Sequence, residues 1–218
     1  MERHYGLRPQ VVYNGYDHTL FYPREADPAL RHEYAPGGES VILYAGRLIP
    51  WKGVQYAIAA LAEVPGAVLL IAGDGHYRPV LEAQARSAGL SGRVHFLGNI
   101  PHEELPRWLA ISDVLVATSY ASETFGIALV EAQASGVPVV ASRFGGFAEV
   151  VQDGVTGVLV PPQDAPALAG ALRMLLADPL RRREMGQAGL AWVRERFHWE
   201  RVAERVLQAY GQVKCKQG

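Results

Sequence analysis

The sequence predicts an α/β fold: a parallel sheet flanked by helices and closed by a helical C-terminal tail. Three observations carry this. Short runs such as VILYA at 41–45, AVLLIA at 67–72 and DVLVAT at 113–118 are apolar at successive rather than alternate positions, as in strands buried on both faces. Between them lie segments whose apolar residues recur at helical spacing. Glycine and proline mark the junctions, so strands alternate with helices along the chain, the pattern of one right-handed parallel sheet. With 218 residues, 49% of them hydrophobic, the chain can bury one sizeable core. A single domain over residues 1–218 is expected, with residues 190–218 forming its C-terminal helices.

Residues 10–15, QVVYNG, read as a short apolar strand ending in an Asn-Gly turn. Residues 23–40, rich in proline, glycine and charge, read as a surface linker with one short helical turn. The strand at 41–45 runs into Gly46-Arg47-Leu48-Ile49-Pro50-Trp51-Lys52-Gly53, a loop leading to a helix over 54–63. The strand at 67–72 ends in Gly73-Asp74-Gly75, ahead of a helix over 77–88 that Asp74 is placed to cap. A strand at 94–97 turns through Gly98-Asn99-Ile100-Pro101 into a helix over 102–110, in which His102 and Glu103 read as ordinary first-turn residues.

The strand at 113–118 is followed by a loop carrying Glu123 and then by a helix that Gly126 opens. Ile127, Val130 and Ala134 recur at helical spacing, Glu131 falls in the second turn, and Gly136 with Pro138 closes the helix before a strand at 137–141. Gly145-Gly146 opens a short helix containing Glu149, a residue read as supporting its loop. A strand at 158–160 leads to Asp164, the N-cap of a helix over 165–176. From Pro179 onward the chain is helical and amphipathic, with Met185, Leu190, Val193, Phe197, Val202, Val206 and Tyr210 as its apolar positions.

Ligands of open parallel sheets bind outside the carboxyl ends of the strands, where a helix N-terminus offers unpaired N–H groups to an anion. The amides near Phe125, Gly126 and Ile127 suit a phosphate. Arg47, with its planar fork, and Lys52, a compact charge five residues on, border a second loop of this kind. A carboxylate beside a phosphate repels it. Glu123 and Glu131 are therefore better aimed at hydroxyl groups, which donate to carboxylates, with a sugar on one side of the phosphates and a ribose on the other.

The stretch SETFGIALVEAQASGVPVVA at 122–141 resembles the E-x7-E signature of retaining glycosyltransferases of the GT-B fold. These are the glycosyltransferase family 4-like proteins, or glycosyl transferases group 1, which include sucrose, glycogen and mannosyl-lipid synthases. GRLIPWKG at 46–53 resembles the family's G-R-x-x-x-x-K-G motif, whose Arg and Lys hold the donor diphosphate. VVYNGYDHTLF at 11–21 resembles its V-x-x-N-G-V-D-x-x-x-F segment, with Tyr16 where a small aliphatic is usual. Residues 142–151 resemble its G-G-x-x-E element, with Ala148 replacing the usual proline.

The resemblance implies the Rossmann-like C-terminal half of a GT-B fold, binding a nucleotide sugar such as a UDP-sugar or a GDP-sugar. It implies Arg47, Lys52 and Glu123 as catalytic residues. As donor-binding residues it implies Gly46, Gly73, Asp74, Gly98, Asn99, Ile100, Phe125, Gly126, Ile127 and Glu131. Hexosyl transfer with retention, no cofactor and no metal are implied with them. The family's F-x-G-x-(V/I) turn, here Phe96 to Ile100, meets the base through backbone groups, so no side chain separates uracil from guanine or adenine. Only the second of the family's two domains is covered. The N-terminal acceptor domain is expected in a longer protein or on a separate chain.

Other classes are bounded by composition. A formal net charge of −1 with interspersed charges leaves no footprint for nucleic acid, and the run Arg181 to Arg183 reads as a solvated helix end. One cysteine, Cys215, forms no intrachain bridge, which fits a reducing compartment. No apolar stretch reaches the roughly 20 residues of a membrane span, and the N-terminus lacks a signal-peptide core. A cytoplasmic location is expected, peripheral at the membrane for the full-length enzyme. The seven histidines lack ligand spacing, so no metal site is expected. No G-x-G-x-x-G follows a strand, which argues against a dinucleotide enzyme. Two further readings are a nucleotide-sugar-binding module without chemistry of its own and an epimerase on the same fold. The epimerase should lack the Arg/Lys pair together with E-x7-E. The last helices are expected to leave apolar surface that favours homodimerisation or a partner chain.

Overall fold

The computed structural model describes residues 11–214. Gln10 and Cys215 lie outside the described residues. Six strands, β1 (Ser40–Ala45), β2 (Ala67–Ala72), β3 (Val94–Gly98), β4 (Val114–Ala117), β5 (Val139–Ser142) and β6 (Gly157–Val160), form one sheet in the order β3-β2-β1-β4-β5-β6. Every pairing is parallel. The chain winds outward from β1 to β3, then returns to the other side of β1 for β4 to β6. The order reverses between β1 and β4, and such a switch point leaves a crevice at the carboxyl ends of the two strands.

The described residues also form α1 (Pro28–Tyr34), α2 (Val54–Leu61), α3 (Arg78–Ser87), α4 (Leu105–Ala110), α5 (Ile127–Ala134), α6 (Phe147–Val150), α7 (Ala165–Ala177), α8 (Pro179–Arg196) and α9 (Trp199–Lys214). They cover both faces of the sheet, which is why β2 is buried at every position and its sequence shows no alternation. Along β1, Val41 and Leu43 enter one core with Leu109 of α4, Leu129 of α5 and Val193 of α8. Ile42 and Tyr44 enter the other with Ile58 of α2, Leu81 of α3 and Leu172 of α7. The α/β class, the parallel sheet and the helical tail are thus as the sequence predicts.

The amino end of the sheet is tied by one carboxylate. Asp113 Oδ2 accepts from Arg31 Nη2 of α1 at 2.9 Å and from the Val41 amide of β1 at 2.8 Å, while Oδ1 accepts from Arg182 Nη2 of α8 at 3.4 Å.

Three local expectations are corrected. Residues 11–15 form no strand. The segment runs beside the junction of α8 and α9, where the Tyr16 amide donates to the Phe197 carbonyl at 3.0 Å, and Gly15 packs so closely on the Trp199 ring that a Cβ would come within 2.4 Å. Its partner is a helix end rather than a strand edge, so Val11 is left exposed. The supposed linker at 23–40 holds the seven-residue helix α1, because Asp27 caps it by accepting from the Ala29 and Leu30 amides and Arg31 anchors it. Asp74 does not cap α3, whose N-cap position is Tyr77. It accepts instead from the Gly75 amide at 2.7 Å and from Arg78 at 3.2 Å. Tyr210, one of the apolar positions of the closing helices, is 69% exposed.

Candidate functional site

Backbone bonds between successive strand-end loops build the rim of the crevice. The Gly46 amide donates to the Ala72 carbonyl at 2.9 Å, Leu48 to Asp74 at 2.9 Å, and Gly73 to Gly98 at 2.7 Å. The loops after β1 and β2 meet where Gly73 stands at φ 141°. A Cβ there would lie 1.9 Å from the Gly46 carbonyl oxygen, so glycine alone permits the approach. On the other side, Pro50–Lys52 makes a single turn that ends against β4. Thr118 Oγ1 donates to the Lys52 carbonyl at 3.0 Å, and the Tyr120 amide donates to the Trp51 carbonyl at 3.0 Å.

This stitching brings together two residues 71 positions apart: Lys52 Nζ donates to Glu123 Oε2 at 2.6 Å. Ser119 Oγ, on a buried side chain, donates to the same oxygen at 3.1 Å. The Glu123 side chain is only 11% exposed, and its loop is clamped from behind. Gly145 at φ 53° sits where a Cβ would fall 2.1 Å from the Glu123 carbonyl oxygen. Ser122, a non-glycine at φ 54°, bends the chain immediately before the glutamate, a left-handed conformation that costs on the order of 1–3 kcal/mol and recurs at functional sites.

Glu131 lies on α5, which starts at Gly126 and is buried from Leu129 to Ala134. Burial raises its carboxyl above the ordinary value, an effect that a bond to His102 opposes. His102 Nε2 lies 2.7 Å from Glu131 Oε1; with the carboxylate ionised, and so only accepting, this nitrogen is the donor. Among the described residues, no hydrogen bond engages Glu123 Oε1 or Glu131 Oε2.

Two adjoining cavities open between these groups. One, of about 310 Å3, is lined by Gly46, Arg47, Gly73, Asp74, Asn99 and Ile100, and beyond them by His102, Leu105, Ile127 and Glu131. The other, of about 250 Å3, is lined by Tyr44, Lys52, Ser119, Glu123, Gly126 and Phe147. Arg47, Gly46 and Ile127 line both, so the N-terminus of α5 and Arg47 stand at their junction. The Tyr44 hydroxyl donates to the Arg47 carbonyl at 3.1 Å, and burial, reinforced by the Glu123 charge, pushes its pKa up, so it stays protonated.

The expected site residues therefore converge with two exceptions. Gly98 spends its carbonyl on Gly73 and lines neither cavity. The Phe125 ring also lines neither. It stacks on Tyr13 with centroids 6.0 Å apart and meets Phe197 edge-on at 5.4 Å, fastening the Glu123 loop to the N-terminal segment and the α8–α9 junction. The Glu149 carboxylate beside the Tyr13 hydroxyl raises its pKa. The reading of His102 as an ordinary first-turn residue is corrected: it lines the larger cavity and holds Glu131. Ser119, Tyr44 and His102 were not legible as site residues, because nothing local marks them. For His102 the available signal was its place two residues past Ile100, in a strand-end loop already assigned to the site. Glu103 keeps its expected place in the turn His102–Glu104. No group of three or more His, Cys, Asp or Glu side chains among the described residues is placed to hold a metal ion, and no described helix is long and apolar enough to cross a membrane.

Residues 27–192 match the family described as glycosyl transferases group 1. The GDP-mannose-dependent alpha-(1-6)-phosphatidylinositol monomannoside mannosyltransferase of Mycolicibacterium smegmatis is 38% identical over 205 residues, which is 89% of this chain and 54% of that protein. Among solved structures, sucrose-phosphate synthase from Thermosynechococcus elongatus superposes with a TM-score of 0.84 at 36% identity, covering 95% of this chain and 53% of that one. Anabaena HepE in complex with UDP-glucose gives 0.83 at 30% identity, covering 93% and 57%. The chain spans about half the length of the curated relatives it matches. The match takes in the loops that carry Arg47, Lys52, Glu123 and Glu131 within the parallel α/β architecture of a GT-B C-terminal half, and the chain belongs to the glycosyl transferases group 1 family.

Proposed function

We propose that this chain, over residues 1–218, is the donor-binding half of a retaining hexosyltransferase that moves a sugar from a nucleoside diphosphate sugar to an acceptor. The observation that carries the reading is the meeting, in one crevice, of two cations, a helix N-terminus and two carboxylates that each keep one oxygen unengaged by the described residues. The nucleoside occupies the larger cavity, with Gly73, Asp74, Asn99 and Ile100 beside the base and Glu131 Oε2 accepting from a ribose hydroxyl. The diphosphate lies at the junction and the sugar in the smaller cavity, where Glu123 Oε1 accepts from a sugar hydroxyl. Backbone groups at Gly46, Phe125, Gly126 and Ile127 border the phosphates, and Gly98 supports the Gly73 turn.

As the sugar to phosphate bond breaks, negative charge grows on the leaving diphosphate. Arg47, Lys52 and the N-terminus of α5 meet that charge. Lys52 has three hydrogens, so it can keep Glu123 and still donate to a phosphate oxygen. This supplies positive charge from the chain itself, and the proposed route includes neither a metal nor a cofactor. Support for the donor class comes from a relative named for GDP-mannose and a structural neighbour holding UDP-glucose.

Transfer needs donor and acceptor held together. The acceptor site is assigned to an N-terminal domain of a longer protein or to a separate chain, and without it this chain is a nucleotide-sugar-binding module. Apolar residues left exposed on α9, Leu207 and Tyr210 among them, are assigned to contact with that half rather than to a homodimer. A cytoplasmic enzyme, peripheral at the membrane when its acceptor is a lipid, fits this reading.

The test is a thermal-shift panel of UDP-, GDP- and ADP-sugars. A donor at a hundred times its dissociation constant should raise the melting temperature by roughly 5–10 °C, one base standing out. No shift with any of the three sinks the proposal. Retention is tested separately, by the anomeric configuration of the product formed once the acceptor half is supplied.

A further inference from the structure

The imidazole of His102 has an environment that ordinary helix-start residues lack. It stands at the first position of the turn His102–Glu104, directly after Pro101, whose ring restricts the backbone there. One side of the ring packs on Phe21, a residue 1% exposed, with centroids 5.0 Å apart. Its Nε2 bonds Glu131 Oε1 across 29 residues of chain, and both side chains line the cavity assigned above to the nucleoside. The Glu131 side chain is 6% exposed, and that of His102 is 59% exposed.

We propose that His102 is a positioning residue for ribose recognition: by occupying Glu131 Oε1 it turns Oε2 toward the cavity and keeps the carboxyl in its accepting form. The inference rests on the donor-binding reading. A buried carboxylate without a donor either swings or takes up a proton, and a protonated carboxyl loses part of its capacity to accept from a hydroxyl. His102 opposes both. It need not touch the nucleotide, so its effect should follow the ribose hydroxyls and not the phosphates.

Calorimetry on the full chain tests this with UDP, GDP and ADP and with the 2′,3′-dideoxy form of whichever binds best. His102→Ala should weaken the ribonucleotide roughly tenfold, the scale of one hydrogen bond involving a charged group, and the dideoxy nucleotide less than twofold. His102→Gln, which retains a side-chain N–H donor, should recover most of the loss. His102→Phe keeps the ring packing against Phe21 without a donor, so it should behave as the alanine variant does even if that variant folds poorly. Equal weakening of ribo- and dideoxynucleotide, or a ribonucleotide affinity within twofold in both His102→Ala and His102→Phe, overturns the role of His102 alone. Binding of none of the three diphosphates by the unaltered chain overturns the donor reading, and this inference with it.

Discussion

The two ends of the β1–β4 strand pair carry ion pairs built from the same kinds of residue, and they differ in what is left over. At the amino end, both oxygens of Asp113 are engaged, by Arg31, Arg182 and a backbone amide, and α1, β1 and α8 are joined through it. At the carboxyl end, Glu123 is held by Lys52 with Ser119 and Glu131 by His102, yet among the described residues each is held through one oxygen. The first arrangement consumes its acceptors and stabilises the fold. The second fixes a carboxylate in place beside a cavity and leaves one acceptor oxygen over. An ion pair marks a candidate site here by an acceptor held in position and not used, rather than by its charge.

The contrast can be broken most forcefully at the amino end. Asp113→Ala leaves two arginines facing an empty position and should lower unfolding free energy by about 3 kcal/mol in urea titrations, since removing one partner strands the others. Nucleotide diphosphate affinity should stay within twofold. A variant that keeps its stability and loses affinity reverses the assignment of the two ends.

Arg47→Ala should do the opposite. Arg47 is exposed and lines both cavities, so stability should move by less than about 0.5 kcal/mol, while diphosphate affinity falls roughly ten- to thirtyfold by calorimetry. Unchanged affinity removes Arg47 from the site.

Glu131→Gln sharpens the comparison through pH. Burial raises the folded-state pKa of Glu131 above its ordinary 4.5, with His102 opposing. The folded chain then holds this proton more tightly than the unfolded chain does. The associated stability is complete below the ordinary value and is lost as pH rises through the raised one. At neutral pH the ionised group costs stability, so Glu131→Gln should be as stable as the unaltered chain or slightly more so, with a flatter stability profile above pH 4.5, while nucleotide affinity falls. Marked destabilisation at pH 7 would falsify the view that this carboxylate is kept for binding. The smallest expected effect is that of a chelator, which should leave nucleotide affinity unchanged if side-chain cations alone meet the diphosphate; a loss restored by a divalent ion refutes that.

How much of this was legible in the sequence follows from the distance over which each feature is encoded. The strand at 67–72 is read to the residue, because unbroken apolarity over six positions between glycine-bearing turns is a local record of burial on both faces. The short helix after Gly145-Gly146 and the Asp164 cap, whose Oδ1 accepts from the Ala167 amide at 2.8 Å, are local in the same sense. The segment at 11–15 misleads because two valines record apolarity without saying which partner covers it, and here the neighbour is a helix junction.

Local patterning of the chain by itself determined the alternation of strands and helices, the glycine turns at the strand ends, and which cations and carboxylates would stand there. Tertiary structure alone decided that Lys52 meets Glu123 across 71 positions, that His102 meets Glu131, and that each glutamate lines a cavity with one oxygen unbonded by the described residues. The physical reason is the strand order. Placing β4 beside β1 brings together loops that are remote in the chain, and hydrophobic periodicity specifies the face a residue buries, not the neighbour its strand will pair with.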